Sequence, residues 1–198
     1  MQDSALPLAT SEKIPPRARV LTAARELFYR HGIRSVGVEA IAEAAGTNKM
    51  TLYRHFASKD ELIAACLREF AQEADGVWAR LEAAHPGDAA AQLRGWLAAV
   101  ERRLTDPGDR GCALANAAIE IAEKDHPARR VIEAFKSHQR ERLAALARAA
   151  GAAEPEALAD NLFMLVEGAR VCAQSTGPKG PVCQFVRTGE ALIAAQLR

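Results

Sequence analysis

Lys49, Thr51, Tyr53, Arg54 and His55 crowd around Met50 and Leu52 in one short stretch of the chain. Cations, a hydroxyl and an amphipathic ring at this density suit contact with phosphate oxygens and base edges rather than bond making. Their spacing is helical. Leu52 and Phe56, four apart, face inward together. At about 100° per residue, Met50 and Arg54 point away from that pair, with Thr51 beside them and Lys49, Tyr53 and His55 on the flanks. Asn48 stands where an N-cap would open the helix. Downstream, Ser58 and Glu61 form a capping box, and the positive end of the helix they start, beside Lys59, offers a phosphate clamp. The same residues also make an ordinary well-capped helix start. Upstream, Arg17 and Arg19 follow Pro15-Pro16, within reach of a nucleic-acid backbone or minor groove. Ordinary surface arginine has the same look.

A helix this short needs a partner and a brace. Val38, Ile41, Ala42 and Ala45 recur at i, i+3, i+4 and i+7, one apolar helix face. Gly46 stops that helix because glycine accepts the left-handed backbone a C-cap needs. The pair reads as a helix-turn-helix whose second member is the recognition helix. A helical hairpin with a polar face and no nucleic-acid role would share the pattern. Residues 16–31 supply the brace: Val20, Leu21, Ala24, Leu27 and Phe28 make one apolar stripe, and Gly32 closes it.

Two stretches, RVLTAARELFYRHG (Arg19–Gly32) and IAEAAGTNKMTLYRHFASKDEL (Ile41–Leu62), carry a resemblance to the DNA-binding domain of the TetR family of bacterial transcriptional regulators. The family's usual run is close to IA..AGVS.GTLY.HF..K..L. This chain departs from it at Met50, where glycine is usual, and at Gly37, where Thr or Ser usually starts the second helix. Glycine is a worse N-cap by only a few tenths of a kcal/mol, roughly. The resemblance implies an all-α fold of about nine helices. An N-terminal three-helix DNA-binding domain would be joined by a long helix to a C-terminal helical domain for effector binding and dimerisation. It also implies a regulator, most often a repressor, that binds a pseudo-palindromic double-stranded operator as a homodimer and is released by a small-molecule effector. The expected division is residues 1–15 as a flexible arm, 16–60 as the DNA-binding domain and 61–198 as the ligand-binding and dimerisation domain. The expected DNA contacts are Arg17, Lys49, Met50, Thr51, Tyr53, Arg54, His55 and Lys59.

Charge agrees with such a division. Between Arg17 and Lys59 eight cations face three anions, a net +5, so the rest of the chain carries −4 of a total of +1. A basic module on a mildly acidic body fits a reader of nucleic acid attached to something else. A hydrophobic content of 49% with only 5% aromatics points to helix-on-helix packing rich in Ala and Leu. No alternating run marks a strand. The four cysteines, Cys66, Cys112, Cys172 and Cys183, form no C-x-x-C pair, so free and mostly buried thiols in a reducing cytoplasm are expected. Residues 1–11 lack the basic start and apolar run of a signal peptide, and no stretch approaches the ~20 apolar residues of a membrane span. A cytoplasmic protein with no membrane partner is expected.

The remaining helices are expected at residues 59–84, 89–104, 112–123, 128–150, 156–174 and 182–197. Breaks fall at His85-Pro86-Gly87-Asp88, at Asp106-Pro107-Gly108, at His126-Pro127, at Gly151 and at the Gly/Pro-rich stretch 175–181. The last two helices carry apolar faces, and Gly189 on one of them would allow close approach. Those faces can pack on the body or on a second copy, and the resemblance implies the second. Candidate pocket residues are Trp96, Cys112, Asn116, Glu120, Phe135, His138, Phe163 and Glu167, with Met164 and Arg170 beside them; each also reads as core or surface. An enzyme built on Cys112 with His126 or His138 has no supporting signature. His31, His55, His85, His126 and His138 show no ligand spacing. Neither catalysis, a metal nor a cofactor is expected.

Overall fold

The computed structural model describes residues 14–177 and 179–197, so the expected arm lies outside the described residues except for Ile14 and Pro15. Pro16 opens α1 (Pro16–His31) at a position where its missing N–H costs nothing. Gly32, at φ 82°, turns the chain out of α1 while its N–H bonds the Phe28 carbonyl. Helices α2 (Val38–Ala44) and α3 (Lys49–His55) follow, α3 capped by Asn48, whose side chain accepts from the Thr51 amide. Ser58 caps α4 (Lys59–Ala84) by accepting from the Glu61 amide at 3.1 Å. Asp88 caps α5 (Ala89–Leu104) in the same way. The chain continues through α6 (Ala113–Glu120), α7 (Pro127–Ala149), α8 (Pro155–Thr176), a 3-10 turn (Pro181–Gln184) and α9 (Phe185–Gln196). The described residues are all-helical, with no strand.

Two boundaries differ from the periodicity. Helix α6 ends at Glu120, three residues early, because Ile121 goes extended (φ −96°, ψ 98°) and still enters the core. The run expected from residue 182 begins as a tight 3-10 turn behind Pro181, and the α-helix proper starts at Phe185.

Two apolar cores organise the molecule. The first joins α1, α2, α3 and the start of α4 to α6 and the start of α7, through residues such as Val20, Ile41, Leu52, Leu62, Leu114, Ala117 and Ile132. The second holds the end of α4, then α5, most of α7, α8 and α9, around Trp78, Leu93, Leu97, Leu143, Leu162, Phe185 and Ile193. Helix α4, 26 residues long, runs through both; at 1.5 Å per residue it spans about 39 Å. Gly189 packs inside the chain: a Cβ there would come within 2.6 Å of Leu97 on α5. The α9 apolar face is therefore spent on its own body, with Phe185 and Ile193 buried beneath it. Of the four cysteines only Cys66 and Cys112 are buried; Cys172 is half-buried and Cys183 exposed.

Candidate nucleic-acid interface and internal cavity

Leu52 and Phe56 are buried, and they fix the rotation of α3 on the first core. That rotation puts Met50 at 85% exposure and Tyr53 at 40%, with Arg54 exposed between turns. Thr51 is half-buried. Lys49 is exposed but holds the Glu39 carboxylate of α2 at 2.6 Å. That hydrogen bond lowers the Glu39 pKa and raises that of Lys49. Arg17 is exposed, with its guanidinium 5.1 Å from the centre of the Phe56 ring. Arg17, Arg19 and Arg54 have no ion pair among the described residues. Two of the expected contacts also reach inward. The Nε2 of His55 is enclosed with no partner among the described residues. Lys59 donates from Nζ to the Ile33 carbonyl at 2.8 Å and lies 5.8 Å from the centre of the Phe28 ring, so it fastens the α1–α2 connection. Arg25, part of the basic count, is likewise taken up inside, bridging α1 to Glu69 and Glu73 of α4.

Between α1, α4, α5, α6, α7 and α8 lies a cavity of about 530 Å³. Its walls are aromatic and aliphatic: Trp78 stacks on Trp96 (5.6 Å between centroids, 12° between planes), with Phe70, Phe135, Phe163 and Val166 around them. Polar side chains interrupt them, among them Arg103, Asp109, Gln139 and Glu167. Trp78 donates its indole N–H to Oε1 of the buried Gln139 at 2.9 Å. An indole N–H only donates, which orients that amide and leaves its NH2; Nε2 is enclosed with no acceptor among the described residues. On the α7–α8 side Glu167 is held by Lys136 at 2.6 Å and by Arg170 at 2.7 Å. A volume of 300–1,000 Å³, roughly, with apolar walls and a few convergent polar groups is the usual form of a small-molecule site.

Known proteins resemble this chain both in its N-terminal helices and in its whole fold. The family described as bacterial regulatory proteins, tetR family, matches residues 20–66. The HTH-type transcriptional regulator UidR of Escherichia coli K12 is 42% identical over 57 residues, 29% of this chain and 29% of UidR. The HTH-type transcriptional repressor KstR2 of Rhodococcus jostii is 36% identical over 74 residues, 37% of this chain and 36% of KstR2. These curated relatives are thus matched over little more than a third of their length at most. The likeness to a solved TetR-family transcriptional regulator from Streptomyces coelicolor, SCO4454, extends over the whole fold: TM-score 0.86, 30% identity, 92% of this chain and 96% of that one. The chain belongs to the TetR family. The family is one of DNA-binding transcriptional regulators, and the structure adds what this TetR-family member does with its own residues.

In this TetR-family chain the DNA-binding helices are latched at two points to the α5–α6 part of the body, besides the Arg25 bridge to α4. The Tyr29 hydroxyl, at the end of α1, accepts from the Arg110 amide at 2.8 Å and lies 3.1 Å from both Asp109 Oδ1 and the Gly111 carbonyl, to either of which it can donate. Burial raises the Tyr29 pKa; the Arg110 amide opposes this, and the Asp109 carboxylate adds to it. Arg103 closes the group, donating to Asp109 Oδ2 at 2.8 Å. The second point is Glu120, at the end of α6, whose Oε2 accepts from the amides of Ile33 at 2.7 Å and Arg34 at 3.1 Å. Tyr29 also lines the cavity, so one side chain belongs to the DNA-binding helices, the latch and the cavity wall.

Of the sequence-based pocket candidates, Trp96, Cys112, Phe135, Phe163, Glu167 and Arg170 reach this cavity. Four do not. Glu120 is drawn to the α1–α2 connection, and Asn116 donates to the Arg110 carbonyl. His138 lies in a separate groove beside Asp75, and Met164 is 63% exposed on the outer side of α8. Sequence reading missed Tyr29, Trp78, Lys136 and Gln139. Trp78 alone left a signal, since it follows the α4 core periodicity. Among the described residues no helix is long and apolar enough to cross a membrane, and no three His, Cys, Asp or Glu side chains converge as a metal site.

Proposed function

We propose that the chain is a repressor that binds a pseudo-palindromic operator as a homodimer and leaves it when a small molecule occupies the cavity. In this reading residues 16–60 read DNA, and residues 61–198 bind the effector and pair the two copies. The observation that carries it is Tyr29, which is at once part of α1, part of the latch to the α5–α6 connection and part of the cavity wall. A ligand seated against that ring and against α4 bears on both connections between the cavity and α3. Base edges would be read by Met50 and Arg54, while Tyr53, Arg17, Thr51 and Lys49 would serve the backbone, Lys49 by exchanging Glu39 for phosphate. His55 and Lys59 would support the reading helix from behind. The repressor sense leans on KstR2, whose name carries it.

Pairing is supported by the outer face of α8, where Met164 (63% exposed), Gly168 and Val171 (64% exposed) recur at helical spacing. A Cβ at Gly168 would meet nothing within 4 Å, so a second helix can approach closely there. Exposed Ala191, Ala194 and Ala195 continue small-residue surface onto α9. Two joined copies present two α3 helices to half-sites about 34–36 Å apart, one turn of duplex. Selection of bound duplexes from a random pool tests the whole reading: a pseudo-palindrome is expected, bound by a dimer, with an affinity that falls steeply with salt. Val171→Glu is expected to give a monomer with weak duplex binding. A wild-type chain that is single in solution and binds no duplex at low ionic strength overturns the proposal.

A further inference from the structure

Four cations and four anions line the cavity, among them the exposed and oppositely charged Arg80 and Asp106, but they are not evenly spread. At the α1–α5 end the carboxylate of Asp109 is already matched by Arg103 and by the Tyr29 hydroxyl. Glu73 is matched by Arg25. At the α7–α8 end two cations, Lys136 and Arg170, share the single carboxylate of Glu167, one on each oxygen. All three side chains are only 21–30% exposed. A surplus positive charge thus stands on a partly desolvated wall, where it is worth more than on an open surface. The cluster is also rich in donors, because an ammonium has three and a guanidinium five while each spends one on Glu167. One turn further along α7, the orphaned Nε2 of Gln139 adds an enclosed N–H donor in want of an acceptor. Around these donors the wall is hydrocarbon and aromatic face, and the ammonium of Lys136 already sits 5.5 Å from the centre of the Phe163 ring.

We propose that the cavity takes an apolar monocarboxylate, its carboxylate on Lys136 and Arg170 and its aryl or alkyl body against Trp96 and Phe163. This rests on the reading of the cavity as the effector site and adds the ligand's chemical class. The two cations and two anions then form a closed set. A neutral ligand leaves the surplus charge unmatched, and a cationic one meets Lys136 and Arg170 with the wrong sign.

The test uses the full chain with 2-naphthoate and decanoate, against their primary amides, by calorimetry and by emission of Trp78 and Trp96, the only tryptophans in the chain and both on the cavity wall. The carboxylates are expected to bind at least about tenfold tighter than the amides, the worth of a hydrogen bond to a charged partner. Glu167→Gln, which removes the competing anion, is expected to tighten carboxylate binding and leave the amides unchanged. Lys136→Met is expected to abolish the preference; if that variant does not fold, Glu167→Gln carries the test. Amides that bind as well as carboxylates, or a Glu167→Gln chain that binds carboxylates more weakly, overturn the ligand class and leave the effector cavity standing. If no probe gives heat or alters tryptophan emission, the cavity reading falls with it.

Discussion

Replacing Glu120 with alanine removes the acceptor on which two backbone amides converge. Both meet the same oxygen, Ile33 at 2.7 Å and Arg34 at 3.1 Å. The two bonds differ in what replaces them. Arg34 is exposed, so water takes over its amide, whereas Ile33 is 9% exposed and its amide is left without a partner. A hydrogen bond to a charged group contributes about 1.5–3 kcal/mol, and a buried donor left unmade costs about 1–3 kcal/mol. Since only the Ile33 bond is lost in full, Glu120→Ala is expected to cost about 2–3 kcal/mol, or about 4–12 °C in Tm for a chain of this size. Glu120→Gln keeps an oxygen in place and loses the charge alone, so it is expected to cost about 1 kcal/mol. Gly32 provides a control. At φ 82° a Cβ there would lie 3.1 Å from the Glu120 carboxylate. Alanine at 120 clears that space without relieving the backbone, so Gly32→Ala stays destabilising in the Glu120→Ala background. Thermal unfolding combined with amide hydrogen exchange reads the effect: protection falls more at Ile33, which loses its acceptor, than at Val20, inside α1, which keeps its own. A Glu120→Ala chain melting within about 1 °C of the parent, with Ile33 protection unchanged, would refute the latch, because a lost buried acceptor cannot be that cheap.

The other predictions concern separate parts of the molecule. Tyr53→Ala is expected to weaken binding to all duplexes alike, and Met50 or Arg54 substitutions to shift sequence preference in a pool selection; unchanged affinity and preference in all three would refute the α3 assignment. Lys59→Ala is expected to lower duplex affinity together with Tm, because its Nζ holds the Ile33 carbonyl; lost affinity at an unchanged Tm would show that it acts on phosphate alone. Burial pushes the Cys66 thiol up to about 12. The fold therefore binds a proton there that the unfolded chain releases, so stability falls as pH rises from about 9 towards 12; at pH 8 an alkylating reagent should label exposed Cys183 and spare Cys66, read by mass spectrometry. Gly189→Ala drives a methyl to within 2.6 Å of Leu97, an overpacking worth about 1–3 kcal/mol that urea unfolding would report as a lower midpoint.

The DNA-binding half was legible because its signals are local. Leu52 and Phe56 four apart, Asn48 as cap and Gly46 behind α2 state the rotation and limits of α3 within a dozen or so residues, and the structure keeps each of them. Where sequence reading strayed, a long-range partner had claimed the side chain. Lys59, read as a phosphate clamp, has a second partner in the Ile33 carbonyl that no local pattern announces. Glu120 looked like a pocket carboxylate until the α1–α2 connection drew it away. Gly189 looked like an interhelical contact between copies, and Leu97 of its own chain fills that space.

Helix positions, caps and the exposed face of α3 were thus determined by the sequence itself, since hydrophobic periodicity and capping act between residues a few positions apart. The cavity, the Lys136–Glu167–Arg170 cluster on its wall and the latch through Tyr29 were decided only by the tertiary structure. The cavity lining comes from six helices, α1, α4, α5, α6, α7 and α8. Which side chains meet there depends on how those helices cross and rotate against one another, and no single stretch of chain encodes that.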